Sequence, residues 1–340
     1  MKWLKVIALL GLCSSLYGQI SPFNEKVIEL KSRGSYSFIV SGHFHGDGNN
    51  KSGLPVNTLM ANMDWINKSG ADFMVCLGDL FLNIEKDIPG YQTHFFDKLD
   101  IPLFNVVGNH DLDDNIYQNH FGETSFQFDL NKERHIFLDT EKDDGDITEG
   151  QLKMIKDLST DMKNGMIMTG FIYSHRTVWK DKYEELDELF VHNTQSFSEP
   201  NFGDEVYPLL KEASDHKKIY WFSGSMGGGP SSFFHFQDKN ITYILSAIRG
   251  LQRDALLLVN VSGGKVSFET HSLTGQEVEP LEHYDVDYWS TTEEESEFNL
   301  GLLWYQFKLM LFHRYFWYGM AFAFCFLGLI WIIRKRRRRN

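Results

Sequence analysis

Phe104-Asn105-Val106-Val107-Gly108-Asn109-His110-Asp111 is an apolar run that ends in a glycine and a cluster of ligand-type side chains. The same layout occurs twice upstream. The run Ser35 to Ser41 leads into Gly42-His43-Phe44-His45-Gly46-Asp47, and Phe73-Met74-Val75-Cys76-Leu77 leads into Gly78-Asp79. Apolar, β-branched and aromatic runs bounded by glycine read as strands. Loops after the carboxyl ends of strands are where open sheets collect ligands. Glycine allows the tight turn that leaves the next side chain facing a cleft. Imidazole, carboxylate and amide groups from three strand ends are therefore expected to converge.

Working outward, strand-like and helix-like segments alternate. Asn57 to Lys68 has helical spacing and stops at Gly70; Ala71 to Leu77 is a strand; Tyr91 to Leu99 is helical; Leu103 to Val107 is a strand. This order predicts a sheet covered by helices. Beyond it, Ser125 to Leu130 and Arg134 to Asp139 flank Asn131-Lys132-Glu133 as a hairpin. Thr148 is placed to cap a helix over Glu149 to Lys163, whose Leu152, Ile155 and Leu158 share one face. Met166 to Tyr173, Lys218 to Phe222 and Ile241 to Ala247 read as strands, with a helix at Asp204 to Ala213. Ala255 to Val261 and Lys265 to Leu273 flank Ser262-Gly263-Gly264 as a second hairpin.

The three glycine-flanked blocks, in this order and each after a strand, resemble the opening motif blocks of the calcineurin-like metallophosphoesterases. The resemblance covers residues 36 to 273. It implies an α/β (α+β) fold, a four-layer αββα sandwich of two mixed sheets. It also implies one or two divalent metal ions, which clamp a phosphoryl group and supply a metal-bound hydroxide for hydrolysis of a phosphate mono- or diester. Carried over residue by residue, Asp79 resembles the carboxylate that bridges two metals. Asn109 and His175, the latter in Ile172-Tyr173-Ser174-His175, resemble ligands of the second metal. His45 resembles a ligand of the first metal. His110 resembles the general acid that protonates the leaving group, with Asp111 orienting it. Oxygen and imidazole donors without thiolate suit manganese, iron or zinc.

Two departures stand out. The family's first block reads Asp-x-His, whereas this chain has His43-Phe44-His45. Residues i and i+2 of a strand face the same side, so both imidazoles can reach one metal. The family's last block reads Gly-His-x-His, whereas this chain has Gly224-Ser225-Met226-Gly227. The second metal position then keeps Asp79, Asn109 and His175. The first keeps Asp79 and His45, joined by His43 if it substitutes for the aspartate. Catalytic sites commonly use about three protein ligands and one open position. The expected enzyme is a hydrolase acting on phosphate esters. The alternative is a catalytically impaired member of the fold that serves as a cell-surface binding or assembly module. His235, in Phe233-Phe234-His235-Phe236, is either a replacement ligand or a histidine packed among aromatics.

The ends of the chain carry membrane signals. Residues 1–18 hold Lys2 and Lys5, an apolar run and small residues, the order of a signal peptide; the alternative is an uncleaved anchor. Residues 19–275 form the metallophosphoesterase-like domain. Residues 276–300 read as an acidic linker, and 301–314 as an amphipathic juxtamembrane segment or an extension of the next helix. Residues 315–333 carry no charge and are expected to form a transmembrane helix. The basic tail 334–340 is expected on the cytoplasmic side, with the N-terminal domain outside. The net charge of −13 argues against binding to nucleic acid, which relies on basic patches. The expected partners are a phosphate-ester substrate and the membrane. Cys76 is the single cysteine between the two terminal segments and reads as a buried structural thiol.

Overall fold

Alternation along the strands sets the layering. In a computed structural model of the chain, β1 (Ser35–Ser41) turns Phe38 and Val40 to one side and Ile39 to the other. Residues 19–32, 34–187, 189, 200–215, 217–225, 232–291 and 314–337 are described. The expected signal peptide lies outside the described residues, as do 226–231 and 292–313, which include Gly227, the acidic run and nearly all of the juxtamembrane segment.

The first sheet contains β1, β2 (Phe73–Cys76) and β3 (Leu103–Asn105), all parallel, with β10 (Ala255–Ser262) and β11 (Lys265–Ser272) antiparallel, in the order β11-β10-β1-β2-β3. The second contains β4 (Phe126–Leu130), β5 (Glu133–Phe137), β6 (Thr169–Ser174), β7 (Lys218–Ser223), β8 (Ser232–Asp238) and β9 (Ile241–Ala247), in the order β4-β5-β6-β7-β9-β8. Its β5, β6, β7 and β9 run parallel and its two edge strands antiparallel. Both sheets are mixed, as expected.

Three apolar clusters separate four layers. Phe38, Phe73, Phe104, Phe137, Tyr173 and Phe222 fill the space between the sheets. On the outer face of the first sheet, Ile39, Met74 and Leu103 pack against α1 (Asn57–Ala61), α2 (Met63–Lys68), α3 (Ile84–His94) and α4 (Ile116–Phe121), which contribute Leu59, Ile66, Tyr91 and Phe121. On the outer face of the second, Ile172 and Trp221 pack against α5 (Glu149–Lys163) and α6 (Tyr207–Ser214) through Ile155, Leu158 and Leu210. Burial on both sides explains why the strands read as continuous apolar runs. A short α7 (Val286–Thr291) closes this unit.

Several expected boundaries shift. The helix over 57–68 divides at Asn62, whose Nδ2 donates to Thr58 O (2.8 Å) and to Leu273 O (2.9 Å) and so diverts the chain. The helix expected from Tyr91 starts at Ile84, because Asn83 Oδ1 accepts from Lys86 N (3.2 Å) and caps it; Pro89 and Gly90 hide this start in the sequence. Thr148 occupies the cap position of α5, but its hydroxyl accepts from Gln151 Nε2 (3.1 Å) and bonds no helix amide. Strand β8 has no alternating pattern to reveal it, since Phe233 and Phe234 are buried on opposite faces. His235 lies on β8 opposite Ile244, half-buried near Glu282 and Asp285, and does not join the metal-type cluster.

Residues 293–340 form a separate compact unit. Within it α8 (Arg314–Arg337) spans the segment expected to cross a membrane. Among the described residues, however, no helix is long and apolar enough to cross a membrane. The expected transmembrane character is therefore not supported there; side chains at several positions of α8, Cys325 and Leu327 among them, lie outside the description.

A polar triad bridges the sheets inside the central layer. Tyr36 Oη lies 2.9 Å from His135 Nε2, and Tyr173 Oη lies 2.9 Å from His135 Nδ1. Burial pushes the His135 pKa down to about 3, so the ring is neutral in the native state. The unfolded chain takes up this proton near pH 6.5 and the folded chain does not. Stability from this site is thus full above pH 6.5 and is lost as pH falls toward 3. The loss is about 2 kcal/mol by pH 5. Denaturant titration from pH 7 to 5 should show this slope in the native chain and a flatter one in His135→Phe.

Candidate metal centre

The site forms where β1, β2, β3 and β6 end. Gly42 joins the two sheets: its N–H donates to Ser246 O (2.9 Å) and its carbonyl accepts from Ile248 N (3.1 Å). His43 follows, with φ +56°, and Asp79 has φ +52°. Both are non-glycine residues in the left-handed region, a strained conformation that clusters at functional sites. Gly78, at φ +86°, packs so closely under His175 that a Cβ there would lie 2.4 Å from Nδ1.

Asp79 is the hub. His43 Nδ1 and His45 Nε2 lie 3.4 and 3.6 Å from its Oδ2, and His175 Nε2 lies 3.6 Å from its Oδ1. The His110 backbone N–H also donates to Oδ1 (3.1 Å). His45, Asp79 and His175 are buried, and His43 is nearly so. Among the described residues, His43, His45 and Asp79 are the one group of His, Cys, Asp or Glu whose ligand atoms all lie within 4.8 Å of one another.

Charge follows from this packing. Burial opposes ionisation of Asp79, but the imidazoles of His175, His43 and His45 prevail and hold it far below the usual carboxylate range. Burial drives His43 well below the normal histidine range; Asp79 opposes this, and His175, His45 and Arg249 add to it. Burial also pulls His175 down, yet Asp79, Glu141 and the bond to Leu77 together leave it raised.

The donor set fits a divalent ion. Among the described residues, His43 Nε2, both nitrogens of His45 and His175 Nε2 are buried without a hydrogen-bond partner. Such orphans are rare and costly unless another ligand satisfies them. His175 Nδ1–H donates to Leu77 O (2.8 Å), because a carbonyl only accepts. That bond occupies Nδ1 and leaves Nε2 as the atom facing Asp79, the arrangement ligating histidines adopt. Three imidazoles and one carboxylate, without thiolate, suit manganese, iron or zinc.

The sequence-predicted residues divide into groups. His43, His45, Asp79 and His175 converge. Asn109 and His110 are exposed in the turn beside them. The His110 ring sits 5.1 Å from that of His45, and its Nδ1–H donates to Leu82 O (3.1 Å). Asp111 does not orient His110. Its carboxylate turns inward and accepts from Phe81 N, Gly108 N and Asn105 Nδ2 at 2.9, 2.9 and 3.2 Å. Burial, then Asp79, pushes Asp111 up to about 7 against those bonds. The compact cluster is His43, His45 and Asp79, so both histidines of the first block face the same carboxylate. Ser225 is buried; its N–H donates to His175 O (2.7 Å) and its carbonyl accepts from Thr177 (2.6 Å), so this part of the altered block braces His175.

Arg249 carried no sequence signal, since it sits in no motif. It follows β9 and is placed by Asp254, whose carboxylate accepts from Arg249 N (2.9 Å), Gly250 N (2.8 Å) and Thr58 Oγ1 (2.6 Å). Burial lowers the Arg249 pKa, against the opposing charges of Asp47, Asp79 and Asp254. Glu141, clamped by Arg176 at 2.9 and 2.7 Å, was missed for the same reason.

Two solved structures share this architecture. A dimetal phosphatase from Danio rerio superposes with a TM-score of 0.52 at 10% identity, covering 70% of this chain and 96% of its own. The chain shares the fold of that phosphatase. GAP50, the anchor in the inner membrane complex of Plasmodium, superposes with a TM-score of 0.50 at 13% identity, covering 73% and 88%. No family model matches the sequence, and no curated protein matches it.

Proposed function

We propose that this metallophosphoesterase-fold protein is a metal-dependent hydrolase of phosphate mono- or diesters, held at a membrane with its N-terminal domain outside the cytoplasm. The observation that carries the reading is the convergence of His43 and His45 on Asp79 Oδ2, with buried imidazole nitrogens that nothing else satisfies. His43, His45 and Asp79 would hold one divalent ion, with His175 on the other carboxylate oxygen. Such an ion polarises a phosphoryl oxygen and lowers the pKa of water. The membrane part of the reading rests on the uncharged run 315–333 and the basic residues after it.

The chain's own residues supply the remaining chemistry. Asp79 stays ionised and gathers the histidines. His110 keeps its Nδ1 proton on Leu82, which makes Nε2 the atom that exchanges a proton with a leaving group. Arg249 would offer an always-charged guanidinium to the phosphate oxygens. Arg249→Gln should raise KM for an aryl phosphate about tenfold, change kcat less, and weaken inhibition by inorganic phosphate in parallel.

A second reading is a binding or assembly module on the same fold. The placement of Ser225, where the family has a ligand, favours it. The test uses the full chain in detergent, with metal content measured first. Turnover of an aryl phosphate or a bis-aryl phosphate, lost in Asp79→Asn, supports the enzyme. Bound metal with no turnover on either ester supports the module.

A further inference from the structure

The sandwich opens a second time, at the end away from the cluster on Asp79. Strand β7 starts at Lys218, which pairs with Thr169, the first residue of β6, whereas His175 follows the last residue of β6. At that starting end the inner face of β7, β9 and β8 forms a cleft with β11 of the first sheet. Its volume is about 320 Å³, enough for a small molecule. Lys218, Tyr220, His235, Thr242, Phe268 and Glu282 line it.

The cleft is lined by hydrogen-bonding groups that the fold leaves unused. Tyr220 and Thr242 are neighbours across β7 and β9, and they are 4% and 8% exposed. Among the described residues neither hydroxyl has a hydrogen-bond partner, and neither is sealed from solvent, so both open into the cleft. Polar groups this deep in a sheet are ordinarily paired. The His235 ring, on the same face, also lacks a partner among the described residues. Burial lowers its pKa against Glu282 and Asp285, so at neutral pH it is an imidazole that both donates and accepts. Hydroxyls do the same, so the complementary guest is one that carries several hydroxyls. Lys218 and Glu282, which form no ion pair among the described residues, bring one charge of each sign. An ionic guest would meet a like charge, and a neutral guest meets none. Phe268 packs edge-on against Tyr220 (centroids 5.7 Å apart, 69°) and adds apolar ring surface beside the hydroxyls.

We propose that this cleft is a binding site for a neutral hexose, with sugar hydroxyls on Tyr220, Thr242 and His235 and an apolar C–H face of the ring against Phe268. The site is independent of the metal reading, since all six residues lie apart from the cluster on Asp79.

The test is a titration of the full chain with D-glucose, D-galactose and D-mannose. Cyclohexanol serves as the ring without the hydroxyl array, and inorganic phosphate as the charged probe. Protein-observed NMR with labelled threonine and phenylalanine reads Thr242 and Phe268. At least one hexose is expected to bind in the millimolar range, at least about tenfold more tightly than cyclohexanol, and to shift both resonances. Tyr220→Phe combined with Thr242→Val removes both hydroxyls and keeps the shape of the sheet. Hexose affinity, read at Phe268, should then fall about tenfold or more, while the urea midpoint does not drop, because neither hydroxyl has a partner to lose. Absence of hexose shifts at Thr242 and Phe268, equal binding of cyclohexanol, or hexose affinity unchanged in the double variant would overturn the site. Shifts from phosphate alone would overturn the sugar reading in favour of an anion site on Lys218.

Discussion

Asp79→Asn is expected to lower divalent-metal affinity by about 100-fold or more and to remove ester hydrolysis, while the chain stays folded. The carboxylate alone faces three imidazoles, at 3.4, 3.6 and 3.6 Å, and supplies the negative charge among the converging ligands. An amide keeps the shape and one weak donor oxygen but loses that charge. Changes even one layer beyond a metal's ligands commonly cost 10–100-fold in affinity, so loss of the hub costs at least as much. Folding is spared because the amide keeps the side chain's shape and an Oδ1 acceptor for the His110 N–H, and asparagine tolerates the left-handed backbone at this position. The readout is thermal unfolding with and without added manganese or zinc. Native chain should gain stability with metal by mass action, and Asp79→Asn should not.

Gly108→Ala is expected to be strongly damaging for the addition of a single methyl group. A Cβ at Gly108 would sit 2.2 Å from Asp79 Oδ1 and 2.5 Å from Asp79 N. Neither contact is relieved by rotating a side-chain end. One is backbone, and the other is an oxygen held by the His110 N–H and the histidines. The β2 and β3 loops would have to separate, which also strains the bonds between them, His110 N–H to Asp79 Oδ1 (3.1 Å) and Phe81 N–H to Asp111 Oδ1 (2.9 Å). Overpacking of this kind costs about 3 kcal/mol, and metal affinity should fall with it. Urea unfolding and metal titration of the same variant separate the two losses. Unchanged stability would mean that the two loops do not pack as described.

The sequence spoke most clearly where one local pattern served both fold and site. The apolar runs before Gly42, Gly78 and Gly108 are buried on both faces, so strand and turn were legible together. Helix α5 was legible to the residue because Leu152, Ile155 and Leu158 repeat on one face. The strand β8 was not, because the second sheet buries both of its faces and erases the alternation. Within the site, the pairing of His43 with His45 was readable from their i, i+2 spacing, but the left-handed backbone of His43 was not. Asp111 looked like a partner of His110 by adjacency; three bonds from Phe81, Gly108 and Asn105 turn it inward instead. The segment that carries Arg249 follows β9, whose end is pinned to Gly42, a contact far apart in sequence.

Direct measurement of bound metal bears most closely on the claim that His43, His45 and Asp79 form a metal centre. The full chain, stripped with chelator and titrated calorimetrically with manganese, iron(II) and zinc, is predicted to take up one equivalent of at least one of these ions. That equivalent should vanish in Asp79→Asn. No uptake of any of the three, or uptake unaffected by Asp79→Asn, would contradict the account.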